Sequence, residues 1–204
     1  MKIDLRETIH LVASLVVLTV AFAYPSTDLT FLSIIALSVG TGFILHELGH
    51  KFTAQHYGYS AVYEASPMGL LLAIFLKLVT GIVFAAPGAV MIRKRQSYYS
   101  TDDERYYDIL TQSKETWKIA LAGPMVNVAL AVVFIAMLIL FSSDSGLMKN
   151  MGFYGAYVNI FLAGFNMIPF GPLDGAKVFK HNPVIWGFVG LPLVLMFLIL
   201  SGFL

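Results

Sequence analysis

From Trp117 to Phe141 the chain reads WKIALAGPMVNVALAVVFIAMLILF, a run in which Lys118 is the one charged residue. A stretch this long and apolar matches the roughly 20 residues that a helix needs to cross a bilayer. In hydrocarbon every backbone N–H and C=O must find its partner within the protein, so only helices and closed barrels span. The feature recurs along the chain. Ile9 to Tyr24, closed by Pro25, is a short first candidate, and Leu29 to about Tyr57 is a second. Met151 to Ile168 and Val184 to Leu204 follow the run at 117. The sequence therefore predicts an all-α polytopic membrane protein with about five to six transmembrane helices. Composition agrees, with 12% charged residues where soluble domains carry about 25%. Mixed charge over Met1 to Glu7 and the lack of a small-residue cleavage site make the first run a retained helix rather than a cleaved signal.

Residues 65–92, ASPMGLLLAIFLKLVTGIVFAAPGAVMI, are apolar but carry Pro67, Lys77, Gly81, Pro87 and Gly88. The first part suits a helix. The second, IVFAAPGAVMI, suits a strand or a re-entrant loop. Charge favours re-entry between the second and third clear spans. If the N-terminus is cytoplasmic and this segment enters and leaves on one side, eleven of the thirteen Lys and Arg residues, Lys51, Lys177 and Lys180 among them, fall at or near the cytoplasmic face, as the positive-inside rule requires. Residues 96–116 form the one long polar stretch. It is expected to be a solvated cytoplasmic loop, and its four tyrosines could also line an approach for substrate.

Ionisable groups at membrane depth are costly and usually functional. Within the second run, ILHELGHKFTAQHYG places His46, Glu47 and His50 together. His46 and His50 are one helical turn apart on one face, the spacing that lets two imidazoles ligate one zinc ion. Glu47 then lies beside the metal, where it can take a proton from the water the ion holds. From Leu29 to His46 the helix rises about 25 Å, which puts the metal inside the bilayer, nearer the cytoplasmic side.

A catalytic zinc takes three protein ligands. The chain has no cysteine, so the third must be His, Asp or Glu. Among the acids, Glu64 and Asp174 alone lie against apolar segments on the proper side. His56 is turned away from the pair, and His10 and His181 fall near helix ends, where solvation is expected. Asp174 has the better context. GFNMIPFGPLDGAKV carries Pro169, Gly171, Pro172 and Gly175, which break a helix, and broken backbone at membrane depth must be enclosed by protein or line a wet cavity. Asn166 supplies an amide for substrate or a developing oxyanion. It could equally cap the carbonyls freed around Pro169.

HELGH on one helix and NMIPFGPLDG on a later one resemble the paired signatures of the site-2 proteases, intramembrane zinc metalloproteases. LAGPMVN (121–127) is similar to the family's Ala-Gly-Pro motif on the intervening helix, and FAAPGAV (84–90) to its Pro-Gly segment near the substrate path. The resemblance covers roughly residues 30–180. It implies that His46, His50 and Asp174 bind one zinc ion per chain, that Glu47 activates water, and that Asn166 aids substrate or transition-state binding. It also implies a substrate that is a transmembrane helix of another protein, partly unwound and reached from the cytosol. The stretch GLLLAIFLKLVTG is longer and more apolar than in compact relatives, and an extra membrane-surface helix or part of a gate is expected there.

The whole chain, 1–204, is expected to form a single membrane-embedded domain, with its core at about 30–180 and flanking helices at about 9–24 and 184–204. A net charge of +1 gives no reason to expect a nucleic-acid partner; the bilayer is the expected surroundings. Two alternatives remain at this level: a membrane metal-ion transporter, and an inactive protease-like scaffold. Transport would need polar residues continuing to the outer face, and Leu29 to Leu45 offers Thr30, Ser33, Ser38 and Thr41.

Overall fold

The computed structural model describes residues 3–94, 114–143 and 146–202, so most of the polar stretch at 96–116 lies outside the described residues. The chain is mainly helical. Its elements run α1 (Leu5–Ala23), α2 (Leu29–His56), β1 (Tyr59–Ala65), α3 (Pro67–Thr80), β2 (Gly88–Lys94), α4 (Thr116–Leu140), α5 (Leu147–Asn166), α6 (Asp174–His181) and α7 (Pro183–Leu200). Helix α7 contains a π-helical stretch at Trp186–Gly190.

Local chemistry sets the helix starts. The Asp4 and Asp28 carboxylates each accept from a backbone N–H three residues on, at 2.7 Å, which satisfies otherwise orphaned donors. Ser66 caps Gly69 in the same way, with Pro67 at the first helical position of α3. That helix ends at Gly81, whose φ of 79° is left-handed and suits glycine.

Among the described residues, α1, α2, α4 and α7 are long and apolar enough to cross a membrane. Helix α5 has the 20 residues needed but is more polar, and its place explains why. It packs against α2, α4 and α7, with Val158, Asn159 and Ala163 fully buried, so neighbouring helices rather than lipid surround much of it. The buried stripe of α2 runs Ile35, Val39, Phe43, His46, His50, Ala54. The metal-type residues therefore continue the helix's inward face, while Leu37, Leu45 and Phe52 are exposed, as they would be toward lipid.

The 65–92 segment divides as its composition suggests. Helix α3 has 14 residues, about 21 Å at 1.5 Å each, too short to cross. The chain then turns back, and β2 pairs antiparallel with β1, Ala65 opposite Gly88 and Tyr59 opposite Lys94. The two ends of the segment thus lie side by side, the geometry expected of re-entry. Strand β1 is not foreseen in the sequence reading. Its alternation is visible afterwards: Ala61 and Tyr63 are buried, whereas Ser60 and Val62 are exposed.

The sheet is pinned to the bundle through Tyr63, 1% exposed. Its hydroxyl bonds to Ser14 Oγ at 2.8 Å, and its ring meets Phe43 edge-on at 5.6 Å. Burial, and the Glu47 carboxylate after it, push the phenol pKa above its usual range, so it stays neutral. Its backbone N–H donates to Glu7 Oε1 at 3.0 Å, and Glu7 accepts from Lys51 Nζ at 2.7 and 2.6 Å. One buried ion pair therefore joins α1, α2 and β1. Lys51, counted above among the charges expected at the cytoplasmic face, is thus buried and not a surface charge.

Candidate metal centre

Helix α2 presents His46 and His50 inward, and the broken loop after α5 delivers Asp174 as the first residue of α6. All three are buried. His50 Nε2 lies 3.0 Å from His46 Nε2 and 2.9 Å from Asp174 Oδ2, and His46 Nε2 lies 3.4 Å from that same oxygen. A tetrahedron with metal–ligand bonds of about 2.0–2.1 Å has edges of about 3.3–3.4 Å, so the spacing is near that of a ligand set.

The other ring nitrogens decide which atoms are free to ligate. His50 Nδ1 is 2.7 Å from the Ile119 carbonyl oxygen, and His46 Nδ1 is 2.6 Å from Asn127 Oδ1. Both oxygens only accept, so both Nδ1 atoms carry a proton. In neutral rings both Nε2 atoms then hold lone pairs, aimed at each other and at a carboxylate oxygen. Three converging acceptors call for a cation, and the donor set of two imidazoles and one carboxylate suits zinc. His46, His50 and Asp174 are also the one group among the described residues with metal-binding spacing.

The surroundings keep this position open. Gly123 of α4 faces both imidazoles, and a Cβ there would press on the Nε2 atoms of His46 and His50. Lys177 Nζ donates to Asp174 Oδ1 at 3.1 Å, one turn along α6, and so orients the carboxylate. Glu47 lines the same cavity, and its Oε2 is buried with no hydrogen-bond partner.

The cavity holds about 680 Å³. Its walls come from α3 (Met68, Gly69, Leu72), from α6 and from β2, which contributes five consecutive residues, Gly88 to Ile92. Both side-chain faces of a strand line a cavity when it is seen edge-on. Asn166 also lines the cavity, with its amide donating back to the Leu162 carbonyl at 2.9 Å.

The remaining candidates fall outside the cluster. Glu64 borders the cavity but is not in the ligand group. His56 ends α2 with its ring against Tyr57. His10 is not simply solvated, because its Nδ1 accepts from the Ala65 N–H at 3.3 Å. His181 bonds through Nδ1 to the Lys177 carbonyl at 2.9 Å and lines the cavity mouth. The sequence reading did not single out Asn127 or the Ile119 carbonyl, whereas FAAPGAV, which it set near the substrate path, supplies Phe84, Ala86 and Gly88 to Val90 of the cavity lining. LAGPMVN contains Asn127, but nothing in that motif names His46 as its partner.

Comparison with known proteins agrees with this chemistry. The sequence profile of peptidase family M50 matches residues 34–151, a stretch that ends before Asn166 and Asp174. A protein of Methanocaldococcus jannaschii, provisionally named a zinc metalloprotease, is 45% identical over 189 residues, which are 93% of this chain and 91% of that protein. No solved structure matches.

Proposed function

The chain belongs to peptidase family M50, a membrane zinc metallopeptidase of the site-2 protease type, and on that premise we propose that it cuts transmembrane segments of other membrane proteins within the bilayer. The observation that carries this reading is the buried, converging group of His46, His50 and Asp174 beside an apolar-walled cavity that Glu47 also lines.

We assign the metal to His46 Nε2, His50 Nε2 and Asp174. Zinc bound there supplies a Lewis acid that polarises the scissile carbonyl and acidifies water. Glu47 takes the proton from the attacking water and delivers it to the departing amide nitrogen, the two-way role of a general base and acid. Lys177 holds Asp174 in place through its Oδ1. One Asn166 N–H donates to the Leu162 carbonyl; its second N–H would donate to the substrate backbone.

A peptide bond inside an intact helix is shielded by its own backbone. Substrate must therefore arrive extended; among the described residues β2 has one strand partner, β1, and its residues Gly88 to Ile92 line the cavity, so its other edge is the place for an extended substrate to pair. Lys177 and Lys180 of α6 line the cavity, and in this reading the excess of Lys and Arg makes their side the cytoplasmic one. On the transport alternative, Ser33, Ser38 and Thr41 each donate to carbonyls of their own helix at 2.8 Å, so their hydroxyl protons are satisfied within α2.

The test uses purified protein reconstituted with a single-span substrate, wild type beside Glu47→Gln, each with and without chelator, and zinc content measured in parallel. Expected is cleavage by wild type that chelation stops, and a Glu47→Gln protein that keeps its zinc but loses about 10²–10⁴-fold in rate. Undiminished cleavage by Glu47→Gln, or a zinc-loaded wild type that cuts none of a broad panel of spans, would reject the proposal.

A further inference from the structure

Two buried asparagines outside the ligand set lie end to end behind His46. Asn127 of α4 and Asn159 of α5 are both 0% exposed. Asn127 Oδ1 sits 2.6 Å from His46 Nδ1, and its Nδ2 donates to the Gly42 carbonyl at 3.0 Å and to Asn159 Oδ1 at 2.9 Å. Asn159 Nδ2 donates to the Gly155 carbonyl at 2.8 Å. Room for this contact exists because Gly42 lacks a Cβ, which would stand 3.0 Å from Asn159 Oδ1.

We propose that Asn127 and Asn159 form a positioning relay that fixes which nitrogen of His46 keeps its proton, so that a metal meets a lone pair on Nε2. The argument is one of hydrogen-bond polarity. An amide side chain can be turned end for end, and its orientation follows from its partners. The Gly155 carbonyl can only accept, so Asn159 must turn its NH₂ there and its oxygen to Asn127. Asn127 must then turn its NH₂ to that oxygen and to Gly42, and present its own oxygen to His46. Only an N–H can satisfy that oxygen, which leaves Nε2 unprotonated in a neutral ring. Backbone carbonyls on α2 and α5 thus dictate the state of one side chain through two amides.

The relay also couples two parts of the site. Asn159 and Asn166 are two turns apart on α5, so the helix that braces His46 also ends at the cavity and leads into the loop bearing Asp174. A neutral amide performs here what a carboxylate often does behind a metal-bound imidazole, without placing another charge inside the bundle.

This rests on His46 as a metal ligand, and the test separates the two ideas. Zinc itself is the probe, titrated by competition with a calibrated chelator into the purified full-length chain in detergent. The proteins are wild type, His46→Ala, Asn127→Leu, Asn159→Leu, Asn159→Asp and the Asn127→Leu/Asn159→Leu double variant. Expected is a 10–100-fold weaker Kd for Asn127→Leu and a loss of about 3–10-fold, the worth of one hydrogen bond, for Asn159→Leu. Asn159→Asp, whose fully buried carboxyl stays protonated so that its O–H donates to the Gly155 carbonyl while its other oxygen faces Asn127, should bind within about twofold of wild type. The double variant should be no weaker than Asn127→Leu, because both changes break one chain. The visible spectrum of the cobalt-substituted protein should shift in both Leu variants and not in Asn159→Asp. Losses that multiply in the double variant overturn the relay, and should Asn127→Leu fail to fold, the Asn159 pair decides: equal affinity for Leu and Asp at 159 overturns it. A wild type that binds no zinc, or His46→Ala binding as wild type does, overturns the ligand assignment instead.

Discussion

The Glu7–Lys51 pair offers a perturbation whose size follows from the structure. Both residues are nearly inaccessible, at 2% and 1% exposure, and the carboxylate accepts twice from Lys51 Nζ and once from the Tyr63 N–H. Replacing one member of a buried pair leaves the other charge desolvated, and such losses run about 3–5 kcal/mol. Lys51→Met should therefore destabilise by that amount. At about 2–4 °C per kcal/mol for a chain of this size, the melting temperature should fall by roughly 6–20 °C. Glu7→Gln keeps an acceptor for Tyr63 but turns a neutral amide to the ammonium, and should cost nearly as much. The double variant Glu7→Gln/Lys51→Met removes both charges and should recover most of the loss, because neutral replacement of a buried pair is often close to cost-free. The assay is thermal unfolding of the four proteins in one detergent at one scan rate. A Lys51→Met protein within 2 °C of wild type, or losses that simply add in the double variant, would refute the claim that this pair couples α1 to α2 and β1.

Three further outcomes are expected at the metal centre. Gly123→Ala should lower zinc affinity by at least about 100-fold, more than a second-sphere change, since the new methyl would stand 2.6 Å from His50 Cε1 and 2.7 Å from His46 Nε2; dialysis against buffered zinc measures it. Asp174→Asn should lose zinc to a similar degree, whereas Glu64→Gln should retain full stoichiometry by elemental analysis, which tests the choice between the two acids. Gly88→Ala should impair cleavage and stability together, because its Cβ would collide with the Glu64 carbonyl and the Tyr63 hydroxyl; melting and turnover on one preparation show it.

What could be read in the sequence and what could not divide along a physical line. Signals local to one element were legible. His46 and His50 repeat at the helical period, and the spans fall within a few residues of α1, α2 and α4. Asp174 stood out because prolines and glycines around it broke an apolar run. The misses depend on partners remote in sequence. Lys51 counted as a charge near one face, and nothing nearby names Glu7, 44 residues away. Asn127 meets a partner 81 residues back and another 32 ahead, so its role is set by packing of three helices. Strand β1 escapes the sequence because its alternation is confined to 60–63 and its partner β2 lies beyond α3.

The claim on which the rest depends is that the bond broken lies inside the membrane. The most direct measurement is the mass of the fragments released from a single-span substrate by the reconstituted enzyme, with Glu47→Gln as the blank. The expected result is a cut within the apolar span, displaced toward its cytoplasmic half and made faster by helix-breaking residues introduced beside it. Fragments that end only in the polar flanks, at a rate indifferent to those residues, would contradict it.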